Sequence, residues 1–70
     1  MKLEDIKLGH TYKIYDTRLN NALIYSAAQF ERIDKNGNKF ILINTPNETP
    51  IWFKDGELQY LTFTKSFFIK

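Results

Sequence analysis

The sequence predicts a small, mainly β domain of four or five antiparallel strands, and three observations carry that expectation. Asn36-Gly37 lies between two runs that bear apolar residues, 29–34 and 40–43, and Asn-Gly is a strong short-range hairpin signal. Asp55-Gly56 repeats the signal between Ile51-Trp52-Phe53 and the strand-like run 58–64. Six Phe, four Tyr and one Trp in 70 residues supply the large rings that a small β core uses.

Taken in order, residues 2–8 read as one helical turn or an irregular lead-in, ended by Gly9. Residues 10–16 alternate, with Tyr12 and Ile14 on one face and Thr11, Lys13 and Tyr15 on the other, as in a strand. Residues 17–21 form a polar loop. Residues 22–28 fit two patterns. Leu23, Ala27 and Phe30 fit a helical stripe, whereas Ser26, Ala28 and Phe30 alternate with Gln29 and Glu31 as in a strand. The hairpin needs a strand upstream, so 29–34 is assigned as strand and 22–28 as its extension. A turn centred on Asn36-Gly37 would pair Asp34 with Lys39, Arg32 with Ile41 and Phe30 with Ile43.

The run 40–43 is apolar on both faces and is expected to be the most buried, central strand. Residues 44–50, with Pro46 and Pro50, form a loop. A second hairpin would pair Lys54 with Glu57, Phe53 with Leu58 and Ile51 with Tyr60, and 66–70 would add a last short strand. An open meander exposes its edges, so closure into a small antiparallel barrel, SH3-like or OB-like, is expected over a single domain, 1–70. The alternative is an α+β fold with one helix near 21–30 packed on the sheet.

A chain of this length buries only roughly 60% of the surface its unfolded form exposes. No cysteine is present to staple it, so packing, or a second copy in a homo-oligomer, must supply the rest. No apolar run exceeds four residues, and none follows Lys2, so neither a membrane span nor a signal peptide is expected. A soluble cytoplasmic protein is the expectation, and the sequon Asn47-Glu48-Thr49 is assigned no role.

The residues argue against most catalytic chemistries. His10 is the only histidine, and Ser26 and Ser66 have no glycines beside them. Residues 34–38 imitate a calcium loop, but the glycine comes too early and Thr45 stands where a closing glutamate belongs. Gly9, Gly37 and Gly56 are isolated, so no phosphate cradle forms. No catalytic residue, metal or cofactor is assigned. A chain this short hardly encloses a site of about 300 Å³.

A binding face remains. With Ile51 and Phe53 inward, Trp52 would point outward together with Gln59, Leu61 and Phe63. Trp52, with Phe63 or Tyr15, would fill a partner's pocket, while Arg32 and Lys54 supply rim pairs. The net charge of +2 is slight beside this apolar surplus, which favours a protein partner and a regulator or inhibitor acting by occlusion. The alternative is RNA or single-stranded DNA bound by basic and aromatic residues on a barrel face.

Overall fold

The computed structural model describes residues 6–68. Five strands, β1 (Thr11–Asp16), β2 (Ala22–Asp34), β3 (Gly37–Leu42), β4 (Thr49–Phe53) and β5 (Leu61–Lys65), form one antiparallel sheet. Their spatial order is β4-β3-β2-β1-β5. A 3₁₀ turn, Thr17–Leu19, links β1 to β2, and one helical turn, α1 (Asp55–Leu58), links β4 to β5. Within the expected lead-in Ile6 is buried and Lys7 and Leu8 are exposed, without a helical turn; residues 2–5 lie outside the described residues.

The mainly β class is observed, and the sheet curls without closing. No ladder joins β4 to β5, which are the two edges. The curl still brings Phe63 of β5 onto Phe40 of β3, with ring centroids 5.7 Å apart and planes 15° from parallel. Its cause is β2. Against β1 and β3 this strand shows three register shifts, each leaving an extra residue on β2, and each such bulge bends and twists a strand. The bulges also explain the ambiguous segment. Ala27 and Ala28 are both buried, a pair that strict alternation forbids, so 22–30 imitates helical spacing while being strand throughout.

Both expected hairpin registers are corrected. At the first turn Asp34 pairs with Gly37 and Arg32 with Lys39, and past a bulge at Glu31 Phe30 pairs with Phe40. The loop is therefore Lys35-Asn36, and Gly37, at φ 120°, takes the positive torsion. The Asp34 carboxylate accepts the Asn36 N–H at 2.8 Å, stabilising this turn through its own side chain. The central strand is β2, with β3 beside it, and only Phe40 of the run 40–43 is wholly buried.

Asp55-Gly56 makes no hairpin. The Glu57 carboxylate accepts the Lys54 N–H at 2.9 Å, and the Glu57 N–H donates to the Lys54 carbonyl at 2.9 Å. Asp55 in turn accepts from the buried Asn38 Nδ2 at 2.9 Å, and that amide also donates to the Phe53 carbonyl. These bonds favour a helical turn, which carries the chain over the sheet end so that β5 pairs with β1 instead of β4. The expected last strand is absent from 66–68, and Ile69 and Lys70 lie outside the described residues.

The core fills the concave face with Ile6, Tyr12, Ile14, Ala28, Phe30, Phe40, Leu61 and Phe63. Phe40 is its hub, stacked on Phe30 at 4.9 Å and edge-on to Phe53 at 5.7 Å.

Candidate functional site

The opposite, outward face carries the chemistry. Cross-strand register places Trp52 of β4, Lys39 of β3 and Arg32 of β2 side by side. Asp34, two residues beyond Arg32, joins them. The Trp52 indole Nε1 donates to Asp34 Oδ2 at 3.1 Å, and Arg32 Nε donates to the same oxygen at 3.1 Å. Lys39 Nζ lies 2.7 Å from Glu31 Oε2 and 5.4 Å from the centre of the Trp52 ring. The bulge at Glu31 makes this arrangement. The extra residue lets Phe30 face the core and Arg32 face outward, although two positions separate them in sequence.

The next row along the same face is Pro50, Ile41, Gln29 and Thr11. Gln29 Nε2 donates to the Gly9 carbonyl at 3.0 Å. Tyr15 follows on β1, between Leu23 of β2 and Thr62 of β5. It shares the face with Trp52, but β3 and β2 stand between their strands, a separation on the order of 14 Å at the usual strand spacing.

Phe63 does not belong to this face. It is buried in the core, edge-on to Tyr12 at 6.3 Å, and Leu61 is buried beside it. Both turn inward because β5 takes its register from β1, whereas an outward phase requires a β4–β5 hairpin that does not form. Lys54 leaves the sheet at the start of α1. It helps line a shallow groove of about 370 Å³ with Ile33, Asp34, Lys35, Asn36, Gly37 and Asp55. Trp52 and Arg32 are thus brought together, Tyr15 is set apart, Lys54 sits at the hairpin end and Phe63 is withdrawn. Lys39 and Asp34, expected to pair with each other, are the residues that hold Trp52 in place.

Asp34 has its carboxyl held below the ordinary carboxylate range, first by the Trp52 indole N–H, then by the Asn36 N–H and the Arg32 guanidinium. A folded-state value that is lowered adds stability above the unfolded value, about 3.9, and that stability is lost as pH falls through the lowered value. Trp52 is the only tryptophan in the chain. Its emission is therefore expected to change on acidification with a midpoint below about 3.9. Asp34→Asn should remove that transition while leaving the neutral-pH fold intact. An unchanged titration in the variant would place the responsible group elsewhere.

At the far end of the sheet Asp16 accepts the Arg18 guanidinium through both oxygens, at 3.1 and 2.9 Å, and the guanidinium lies 4.5 Å from the Tyr60 ring centre. This corner holds the β1–β2 connection against β5 through the bond from Thr17 Oγ1 to the Tyr60 carbonyl. His10 is exposed ahead of β1. Among the described residues no group of three or more His, Cys, Asp or Glu side chains could hold a metal ion. No helix among them is long and apolar enough to cross a membrane. Compared with protein-family models, curated proteins and solved structures, the chain matches none.

Proposed function

We propose that this protein is a small, non-enzymatic binding protein that regulates or inhibits a protein partner inside the cell by covering part of its surface. The contact face is the outward side of the sheet, centred on Trp52 with Arg32, Lys39, Ile41 and Pro50, and Tyr15 contacts the partner at the far margin. The observation that supports a protein over a nucleic acid is the pairing of the cations. Arg32 lies 3.1 Å from Asp34 and Lys39 lies 2.7 Å from Glu31, so the two positive charges beside the exposed ring are neutralised within the chain. A strand-tracking groove needs unneutralised cations to meet phosphates. A half-exposed indole fixed by a hydrogen bond and ringed by paired charges instead suits a partner that covers it and excludes water.

The test is affinity capture with the tagged chain from the cells that make it, followed by reconstitution with the purified partner. Trp52→Ala is expected to weaken the reconstituted complex by roughly 30-fold, as for an interface anchor worth about 2 kcal/mol. Arg32→Ala should weaken it less, and Leu19→Ser, off the face, should leave it unchanged. Binding left intact by both face variants would overturn the proposal. A mixed oligonucleotide that shifts Trp52 emission, with affinity falling on a log–log salt plot by roughly 0.7 per contacted phosphate, would support the nucleic-acid alternative instead.

A further inference from the structure

The two edges of the sheet are not equivalent, and their difference selects one mode of self-association. In β4 the backbone groups of Thr49, Ile51 and Phe53 turn toward β3. This follows from the Ile43 N–H bond to the Ala27 carbonyl at 3.1 Å, which turns the odd-numbered residues of β3 to β2 and the even-numbered ones to β4. Pro50 and Trp52 therefore face the free edge. Pro50 has no N–H to offer, and at the next outward position, Lys54, both backbone groups are taken by Glu57. Only Trp52 presents a donor along that edge.

In β5 the Ser66 N–H donates to the Thr11 carbonyl at 3.0 Å, and the Tyr60 carbonyl accepts from the Thr17 N–H at 2.8 Å. The even-numbered residues thus serve β1, and Leu61, Phe63 and Lys65 turn their N–H and carbonyl groups outward. No hydrogen bond meets those groups among the described residues. The β1–β5 ladder has no register shift, so this edge is regular; it carries no proline, and its one charge, Lys65, follows Leu61 and Phe63 on the inward face at the exposed end of the strand. Of the devices by which edges are normally blunted it has that terminal lysine and its five-residue length, with no proline or bulge within it.

We propose that β5 pairs antiparallel with β5 of a second copy of this chain, about a two-fold axis at Phe63. In that register Phe63 meets its own counterpart and Leu61 meets Lys65, each facing pair exchanging both hydrogen bonds, about six in all. On the outward face Thr62 meets Thr64, a favourable cross-strand pair, and no like charges oppose each other. Phe67 and Phe68, 81% and 43% exposed just past β5, extend toward the Leu58–Tyr60 corner of the second copy, where Tyr60 is 39% exposed. The two edges also exclude the alternative assembly. A head-to-tail contact of β5 on β4 would propagate without closing, and Pro50 and the engaged Lys54 deny it half of its bonds, so the symmetric dimer is the closed solution.

The experiment is sedimentation of the full chain over a wide concentration range, with amide hydrogen exchange residue by residue. The expected result is a monomer–dimer equilibrium in which the Leu61, Phe63 and Lys65 amides become protected as concentration rises. Thr62 and Thr64, bonded to β1, should be protected at every concentration. Lys65→Pro removes one outward donor from an exposed position without touching the β1 ladder, and it should weaken the dimer at least tenfold with an unchanged circular dichroism spectrum. The exchange data on the unaltered chain decide the matter even if that variant misfolds. A monomer at all concentrations would overturn the proposal. So would a dimer in which the three amides stay unprotected, or protection that does not depend on concentration, since the edge would then be capped within one chain.

Discussion

Replacing Phe40 by alanine is expected to remove between about a third and all of the stability of the fold. Its ring is wholly buried and touches the aromatic rings of three other strands: Phe30 on β2 at 4.9 Å, Phe53 on β4 at 5.7 Å and Phe63 on β5 at 5.7 Å. A buried Phe→Ala change costs about 3–5 kcal/mol, from lost transfer energy and the cavity left behind. A chain of this size has roughly 4–10 kcal/mol of stability in total, at the usual 0.05–0.15 kcal/mol per residue. The loss is therefore comparable with the whole. Phe40→Leu keeps most of the volume and should cost only about 1–2 kcal/mol. Urea denaturation followed by circular dichroism distinguishes the two. If the alanine variant lost less than about 1 kcal/mol, the ring would not be the hub of this core.

Gly37→Ala is the second large effect. A Cβ on Gly37 would stand 2.6 Å from the Phe53 carbonyl oxygen and 3.1 Å from its carbonyl carbon, and both are backbone atoms that no rotamer change can move. The φ of 120° is also a conformation that L side chains rarely adopt, which alone costs about 1–3 kcal/mol. The two effects share a cause, since β4 passes close enough to the hairpin for the Asn38 amide to bond the same Phe53 carbonyl at 2.9 Å. A loss of about 3 kcal/mol or more is expected, with β4 the strand displaced. Gly56→Ala is the control, because nothing lies within 4 Å of a Cβ there and the residue sits in the helical turn α1. It should be neutral or stabilising by up to about 1 kcal/mol. Equal losses at the two positions would mean that backbone entropy, and not the approach of β4, sets the cost.

The strands were legible in the sequence wherever alternation is undisturbed. Tyr12 and Ile14 face inward and Thr11, Lys13 and Tyr15 outward on β1, and the Ile51-Trp52-Phe53 strand has the phase its pattern implies. What failed was pairing. Asn36-Gly37 does mark the first turn, but the Asp34 side chain moves the loop to Lys35-Asn36, and Gly37 serves by its torsion one place later. At Asp55-Gly56 the turn signal competed with Glu57, three residues past Lys54, and the bonds between those two residues made a helical turn. Phe63 faces inward, against expectation, because β1 and not a β4 hairpin sets the phase of β5. Trp52 and Arg32 lie side by side on one face, and the residues that fix them are Asp34 and Lys39, which the turn signal pairs with each other. No local pattern separates an Asp34–Lys39 pair from the Asp34–Arg32 and Glu31–Lys39 pairs observed, since the choice depends on a bulge.

That bulge has a consequence for how the chain can vary in length. In a regular strand, losing or gaining one residue exchanges inside for outside along everything that follows. Between Phe30 and Arg32 the ladder already holds one residue more than it pairs: Phe30 faces Phe40, Arg32 faces Lys39, and Glu31 has no ladder partner of its own. Removing Glu31 alone would leave both pairs in step and cost Lys39 its carboxylate partner. β2 thus contains a spare place in its spacing, at the junction where the aromatic interior gives way to the charged surface around Trp52.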